Sequence, residues 1–243
     1  MTRMGGGAIG PVLIQVGPER AGLPALLHAH GVPVPRPVVV LVGGASGLDD
    51  EAAHRCERVL RTAVVPVLER LGACLVDGGT DSGIIALAGR ARHDAAATAP
   101  HVGVVAEGTV RHTADSSAAE TAALEAHHTH VVVVPGSSWG DEAPWLARVA
   151  AAIAGPLPSV TVLANGGEVA YDDVAQSLAA GRPVLVLAGT GRTADAIAAA
   201  RAGEPADDRA VVAAKSDLVR CVRSETDDVA EALMSALGGS GRR

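Results

Sequence analysis

The sequence is nearly devoid of aromatic side chains. Of its 243 residues only 1% are aromatic, with no Phe, one Tyr and two Trp, whereas 48% are hydrophobic. The core must therefore be aliphatic, and the chain offers no row of rings on which the bases of a single-stranded nucleic acid could stack. Basic residues are also outnumbered, because 20 Lys and Arg face 27 Asp and Glu and leave a formal net charge of -7. A nucleic-acid polymer is accordingly not expected as a partner.

Cysteines and long apolar runs are scarce as well. Cys56, Cys74 and Cys221 lie far apart and form no CxxC pair, so the sequence predicts neither a disulfide framework nor a thiolate zinc site. Near the N-terminus, Gly, Pro and the charged pair Glu19 and Arg20 interrupt the chain before a signal-peptide core or a membrane span is complete. We expect a soluble, cytoplasmic protein with no membrane partner.

The chain alternates short β-branched runs with longer alanine-rich stretches. The runs are continuously apolar, which is typical of parallel strands covered by helices on both faces. The predicted strands are residues 37–42, 73–77, 101–106, 130–134, 159–164, 183–188 and 218–222. The predicted helices are about residues 49–71, 81–97, 117–127, 141–154, 170–180, 192–202 and 226–237. This rhythm predicts an α/β fold with a doubly wound, mainly parallel sheet.

The sequence shows no internal repeat and no domain-scale linker. Residues 37–238 are therefore expected to form a single domain, with residues 1–36 as an N-terminal extension and residues 239–243 as a flexible tail. The polar segment 107–118 is the candidate for a mobile loop or lid.

Five of the predicted strands are followed directly by a turn that contains glycine. The turns are LVGGASG (41–47), VDGGTDSG (76–83), VPGSSWGDE (134–142), ANGG (164–167) and AGTGR (188–192). In a parallel sheet the carboxyl ends of the strands share one edge, where helix N-termini offer backbone N–H groups to an anion. The need for a positive φ is enough to explain the glycine in any one of these turns. Five glycine-bearing turns at one edge of the sheet, however, favour a phosphate-bearing ligand. None is a GxGxxG fingerprint or a GxxxxGK[ST] loop, so hydride transfer and Walker-type hydrolysis are not indicated.

The expected nucleotide-binding residues come from these turns and the helices they open. They are Gly43, Gly44, Ala45, Gly78, Gly79, Thr80, Ser82, Gly83, Pro135, Gly136, Ser137, Trp139, Gly140, Glu142, Arg148, Asn165, Gly166, Gly167, Gly189, Thr190, Gly191 and Arg192. Thr80 and Ser82 can either cap a helix or donate to a phosphate. Arg192 can clamp a phosphate or pair with Asp195, and Arg148 either faces the same crevice or is solvated.

The loop around Trp139 offers that indole little to bury against, because its neighbours are glycine, serine and aspartate. Trp139 is therefore a candidate for stacking on a purine or another flat ring. Trp145 adjoins an apolar stripe and is expected in the core. Asp141 and Glu142 are interpreted as charges that stabilise a helix N-terminus, with a ribose contact or a general base as the alternatives.

Metal and serine-nucleophile sites are not expected. His128 and His130 would project to one side of a strand, but no carboxylate or thiolate cluster accompanies them in the sequence, so no metal site is predicted. The serines of the glycine-bearing turns lack a GxSxG elbow and assignable His and Asp partners.

Together these motifs resemble the SLOG superfamily of Rossmann-like nucleotide-binding domains, in the branch shared by the N-terminal cytosolic region of melastatin-type TRP channels and by stand-alone prokaryotic proteins. The resemblance rests on GGTDSG (78–83), HTH (128–130), GSSWGDE (136–142), NGG (165–167) and GRPVLVLAGTGRTAD (181–195), and covers about residues 38–200. It implies a Rossmann-like fold and a ligand such as ADP-ribose or another NAD-derived nucleotide, with no further cofactor required. It also implies that Trp139, Arg148 and Arg192 contact this ligand.

Three functions follow from these observations. The favoured one is a soluble sensor that binds a small-molecule nucleotide and signals to an effector protein or to its own homodimer or higher oligomer, with no catalytic residue. The alternative, implied by resemblance to Lonely Guy enzymes of the SLOG superfamily, is an N-glycosidic nucleotide hydrolase with Glu142 as the catalytic residue. PGSSWGDE departs from their PGGxGTxEE loop, since Ser137 replaces the second glycine and the paired glutamates are not reproduced. The third is an interaction module with a vestigial pocket.

Overall fold

A single parallel sheet of eight strands forms the centre of the computed structural model, which describes residues 10–17, 22–44, 47–111, 121–224 and 228–238. The strands are β1 (Val12–Gln15), β2 (Val38–Gly43), β3 (Cys74–Asp77), β4 (His101–Ala106), β5 (His130–Val134), β6 (Ser159–Ala164), β7 (Val184–Ala188) and β8 (Val219–Arg223). Their order across the sheet is β1-β5-β4-β3-β2-β6-β7-β8, and every pairing is parallel.

Helices connect the strands and cover both faces of the sheet. They are α1 (Leu23–Ala29), α2 (Asp50–Val59), α3 (Val65–Leu71), α4 (Gly83–Asp94), α5 (Ala143–Ala154), α6 (Glu168–Ala179), α7 (Arg192–Arg201), α8 (Asp208–Ala214) and α9 (Asp228–Ala236). A π-helical segment, Leu60–Val64, joins α2 to α3 without a break, and a 3-10 turn covers Glu107–Thr109.

The alternation of side chains along β2 explains why its run is apolar throughout. Val38, Val40 and Val42 belong to the core under α1, α5, α6, α7 and α8. Val39 and Leu41 point the other way, into the core under α2, α3, α4 and α9. Because a strand buried on both faces needs apolar residues at every position, the continuous runs do mark the strands of a doubly wound α/β sheet. The predicted fold class is confirmed.

The order of the strands reverses between β2 and β6. Successive crossovers run from β2 through β3 and β4 to β5 on one side, whereas β6, β7 and β8 follow on the other side. In an open parallel sheet such a reversal leaves a crevice beyond the carboxyl ends of the two central strands. The fold therefore locates the candidate site between the ends of β2 and β6.

One predicted helix is wrong where the structure describes it. Residues 121–127 are extended or turned, with Ala122 bridged to Val110 and Leu124 bridged to Thr80. These pairings, together with the hydrogen bond from Glu125 N to Gly79 O, outweigh the helical preference of an alanine-rich segment. Residues 117–120 of that helix, and residues 112–118 of the candidate lid, lie outside the described residues.

Three short elements were not predicted. β1 and α1 fall within the expected N-terminal extension, yet β1 pairs with β5 at the edge of the sheet and Leu27 of α1 is fully buried. α8 is also missed. β1 has four residues, while α1 and α8 have seven each, so none is long enough for a clear periodic pattern. Among the described residues, no helix combines the length and apolar character needed to cross a membrane.

Truncating Leu163 tests the packing of the sheet. Leu163 on β6 is fully buried, whereas Leu157, in the preceding loop, is 38% exposed. Leu163→Ala should lower the free energy of unfolding by about 2–5 kcal/mol, and Leu157→Ala should change it by no more than about 0.5 kcal/mol. Urea denaturation measures both; equal effects would contradict the assigned core.

Candidate functional site

A cavity of about 450 Å³ lies where the strand order reverses, and all five glycine-bearing turns contribute to its wall. The predicted binding residues that line it are Gly43, Gly44, Gly78, Thr80, Ser82, Trp139, Glu142, Gly167 and Arg192. They come from segments that follow five different strands. The structure thus brings together residues that are up to about 150 positions apart in the sequence because the carboxyl ends of parallel strands share one edge.

The other predicted residues do not line the cavity. They are Gly79, Gly83, Pro135, Gly136, Ser137, Gly140, Arg148, Asn165, Gly166, Gly189, Thr190 and Gly191, and Ala45 lies outside the described residues. Several of them instead hold the turns together. The backbone N–H of Asn165 donates to Thr190 Oγ1 and its Nδ2 donates to Thr190 O, both at 2.8 Å. These residues shape the rim without facing the cavity.

Arg148 is not among the residues that line the cavity. Its guanidinium carbon lies 5.6 Å from the centroid of the Trp145 ring, one helical turn earlier on α5. Trp145 itself is 6% exposed and belongs to the core, as expected. The ligand contact that the resemblance implies for Arg148 stays a prediction.

The guanidinium of Arg192 lies close to glycines of two other turns. A Cβ atom on Gly47 would lie 3.0 Å from Arg192 Nη1, and one on Gly167 would lie 3.0 Å from Nη2. The guanidinium therefore lies between these two glycines. Arg192 also has a positive φ of 51°, an unusual backbone conformation for a residue with a side chain, and such conformations cluster at functional sites.

The loop that carries Trp139 is organised by two acidic side chains. Asp141 Oδ2 accepts hydrogen bonds from the backbone N–H groups of Ser137 and Ser138, at 2.9 and 3.0 Å. Glu142 Oε2 accepts one from the N–H of Gly140 at 3.0 Å. With its backbone fixed in this way, the loop presents Trp139 45% exposed at the cavity wall, so its indole is accessible to a flat ring.

Two carboxyl groups, those of Glu142 and Asp173, also line the cavity. Burial, together with the charge of Asp141, raises the pKa of Glu142. Burial, together with the charges of Glu142 and Asp172, raises the pKa of Asp173 on α6 to about 8. Asp173 was not predicted, although a signal existed: it follows buried Ala170 by three positions and so shares the inward face of α6. The cavity therefore combines a cation, an exposed indole and two acids that ionise reluctantly.

The hydroxyl groups of Thr80 and Ser82, in the 78–83 turn, also reach the cavity wall. Ser82 precedes α4, yet its side chain caps no backbone N–H of that helix. Instead its hydroxyl lies 3.0 Å from the hydroxyl of Thr80. Both groups line the cavity. Because one hydroxyl donates to the other, the pair retains one O–H donor for a ligand oxygen.

Behind the 78–83 turn lies the carboxylate of Asp77, which was not predicted to lie near the histidine run. Asp77, His101 and His128 offer ligand atoms that all lie within 4.8 Å of one another. His130 does not join them, because its Nε2 contacts the carbonyl oxygen of His30 at 3.1 Å. Asp77 precedes His128 by 51 positions, so the two residues are far apart in the sequence. In the folded chain Asp77 lies beside both histidines, and the expectation that no carboxylate accompanies them is wrong.

The sequence and the fold of the chain are similar to those of known proteins. A family profile described as "SLOG in TRPM, prokaryote" matches residues 36–232. Over 210 residues the chain is 23% identical to transient receptor potential cation channel subfamily M member 2 of Mus musculus and, to the same extent, of Rattus norvegicus. The alignments cover 71% of this chain but 14% of each channel. The crystal structure of TM1055, Northeast Structural Genomics Consortium target VT76, matches with a TM-score of 0.50 and 20% identity over 82% of this chain and 98% of that one, a likeness of fold.

The raised pKa of Asp173 predicts how stability depends on pH. Between the ordinary value of 3.8 and about 8, the folded protein keeps a proton that the unfolded chain has released, so Asp173 lowers stability increasingly as the pH rises through this window. The stability of Asp173→Asn relative to wild type should therefore increase from pH 4 to 8 and level off above it.

Denaturant unfolding across this pH range measures the difference, with Asp217→Asn, an exposed position near β8, as the control. A difference between Asp173→Asn and wild type that does not change with pH would show that Asp173 ionises like an ordinary surface carboxyl.

Proposed function

Since the chain belongs to the prokaryotic branch of the SLOG family related to TRPM channels, we propose that it is a sensor that binds ADP-ribose or a related NAD-derived nucleotide in the cavity between β2 and β6. The observation that carries the proposal is the convergence of five glycine-bearing turns on one cavity with Arg192 at its rim. The cavity volume of about 450 Å³ lies within the range typical of small-ligand sites.

Arg192 and the glycine turns are suited to the phosphates. A guanidinium offers two parallel N–H donors to phosphate oxygens, and the absence of side chains at Gly43, Gly44 and Gly167 lets a ligand approach the backbone there. The hydrogen-bonded pair of Thr80 and Ser82 adds one hydroxyl donor. This part of the cavity supplies donors and positive charge, which is what a pyrophosphate requires.

Trp139 is suited to the base. Its indole is 45% exposed at the cavity wall, and aromatic stacking contributes about 1–3 kcal/mol per base in other proteins. Exposing an indole is unfavourable in water, and covering it with a purine removes that cost. The one accessible tryptophan among the described residues thus lies where a nucleobase would reach it.

Glu142 and Asp173 are suited to the ribose. Carboxylates accept hydrogen bonds from hydroxyl groups, and a protonated carboxyl also donates one. Asp173, with a pKa of about 8, can donate to a hydroxyl oxygen at neutral pH, and Glu142 repels phosphate when it is ionised. These groups therefore favour an orientation in which the phosphates lie toward Arg192 and the hydroxyl-rich sugar lies toward the two acids.

We also propose a location for the protein and a receiver for its signal. We place the protein in the cytoplasm, with a homodimer, higher oligomer or separate effector protein as the receiver of the signal. The relatives named as cation channels are far longer than this chain, which spans 14% of their length. Ion conduction is therefore not part of the proposal.

Arg192→Ala tests the binding site. Removal of the guanidinium should weaken the binding of ADP-ribose at least about tenfold, which corresponds to about 1.4 kcal/mol. Calorimetry with ADP-ribose, cyclic ADP-ribose, NAD and AMP measures the affinities, and Arg220→Ala on the exposed side of β8 is the matched control. Failure of the wild type to bind any of the four at millimolar concentration would refute the proposal.

A hydrolase is the second candidate, favoured by the position of Glu142. Its carboxyl lines the cavity, and its pKa is raised by burial. Asp173, whose pKa is raised to about 8, can keep its proton near neutral pH and donate it to a leaving base. Glu142, as a carboxylate, would then stabilise the sugar cation or activate water.

Product analysis separates the two candidates. Chromatography of AMP, NAD and ADP-ribose after incubation with the protein should show no released base if the protein is only a sensor. If base is released, Glu142→Gln should reduce the rate at least about 100-fold because it removes the carboxylate, whereas Glu204→Gln, at an exposed position after α7 that does not line the cavity, should not. Retention of the activity in Glu142→Gln would exclude Glu142 from the reaction.

A further inference from the structure

A fully buried carboxylate, Asp77, ends strand β3 directly behind the cavity. Its Oδ2 lies 2.7 Å from His101 Nε2, and its Oδ1 lies 2.8 Å from His128 Nε2. The two imidazole rings stack with their centroids 3.7 Å apart. An ionised group without solvent must be compensated by nearby donors and charge, so the protonation of these two rings decides what the cluster does.

The hydrogen-bond partners assign the protons. His128 contacts Asp77 through Nε2 and Glu125 Oε2 through Nδ1, at 2.8 and 2.9 Å. Since carboxylates only accept, both nitrogens donate and the ring is a cation. His101 donates through Nε2, while its buried Nδ1 has no partner, as expected for a neutral ring whose Nδ1 carries a lone pair.

The pKa directions agree with this assignment. Burial alone would lower the pKa of His128, but Asp77 and Glu125 outweigh it and raise the value to about 10. Burial and the adjacent His128 cation lower the pKa of His101 to about 4. His128 and His101 in turn hold the pKa of Asp77 far below its usual range, against the effect of burial.

The same three side chains are also of the types that bind zinc, but their spacing favours direct hydrogen bonds. Two ligands at about 2.0–2.2 Å from a tetrahedral zinc ion lie roughly 3.3 Å apart. The contacts of Asp77 with His101 and His128 are shorter, at 2.7 and 2.8 Å. Asp77 Oδ1 also accepts a hydrogen bond from the N–H of Gly79 at 2.9 Å, so protein donors already occupy the carboxylate.

The cluster joins two segments of the cavity wall. Through Gly79, Asp77 holds the 78–83 turn, and the carbonyl of Gly79 accepts a hydrogen bond from the N–H of Glu125 at 3.0 Å. The N–H of Asp81 donates to the carbonyl of Ala123 at 2.8 Å. The 78–83 turn and the 121–128 segment are thus fastened to each other, and residues of both line the cavity.

Two glycines make room for this arrangement. A Cβ on Gly89 of α4 would lie 2.1 Å from the carboxylate of Glu125. One on Gly103 of β4 would lie 3.1 Å from the ring of His128 and 2.7 Å from the backbone of Gly79. The buried charges therefore fit against bare backbone on both neighbouring elements.

We propose that Asp77 is a positioning residue for the ligand cavity: its ion pair with His128 fixes the 78–83 turn to the 121–128 segment, so that Thr80, Ser82 and Ala122 face the ligand. The proposal rests on the proposed function in that the cavity is taken as the nucleotide site. The buried pair itself is a feature of the fold, and its effect on the two segments can be measured without any ligand.

Amide hydrogen exchange of the full-length protein tests the proposal directly. In Asp77→Asn, which keeps the size of the side chain but removes its charge, exchange in residues 78–83 and 121–128 should become at least about tenfold faster, while α5, α6 and β7 keep their protection. His128→Gln should give the same local pattern, and it provides the test if Asp77→Asn does not fold. His130→Gln, at a buried histidine outside the cluster, is the matched control and should leave both segments unchanged.

Unchanged exchange in both segments, or a uniform increase across the chain in both variants, would overturn the proposal. One equivalent of zinc in the purified wild-type protein, lost in Asp77→Asn, would also overturn it. A calorimetric titration with ADP-ribose should show at least about tenfold weaker binding for Asp77→Asn. If the wild type binds no nucleotide, the proposed function fails, and the exchange data still decide whether Asp77 fixes the two segments.

Discussion

The reversal of strand order between β2 and β6 determines where the candidate site forms. Because all pairings are parallel, every turn that follows a strand reaches the same edge, and the reversal opens a crevice there. The two central strands end in close contact, since a Cβ on Gly43 would lie 2.1 Å from the carbonyl oxygen of Ala164. Glycine at the end of β2 is thus required by the pairing itself as well as by the cavity that it lines.

The chemistry of the site follows from the few polar side chains at an otherwise apolar wall. Four glycines leave part of the wall as backbone, and Ile85, Leu146 and Val169 make other parts apolar. The polar character of the cavity is therefore set by Arg192, Trp139, Glu142 and Asp173 together with the hydroxyls of the 78–83 turn. Behind the wall, Asp77 and His128 form a second, fully enclosed set of charges that contacts the 78–83 turn from its far side. Exposed groups can meet a ligand, while the enclosed ones can act only by fixing the turn.

Seven of the eight strands, and the glycine-bearing turns that meet at the cavity, could be predicted from the sequence because continuous apolar runs and the turns after them are local signals. The sequence was insufficient wherever a contact between distant segments decides the outcome. Residues 121–127 are alanine-rich but pair with the 78–83 turn and with Val110. Asp173 and Asp77 acquire their roles only when α6 and β3 are placed beside residues far away in the chain.

The most direct test of nucleotide binding uses the scarcity of aromatic residues. The chain has two tryptophans, of which Trp145 is buried and Trp139 is 45% exposed at the cavity. Titration with ADP-ribose should produce a saturable change in tryptophan fluorescence that persists in Trp145→Leu and disappears in Trp139→Leu, because only the accessible indole meets the base. A wild-type protein whose fluorescence does not respond, or a response that survives in Trp139→Leu, would contradict the account.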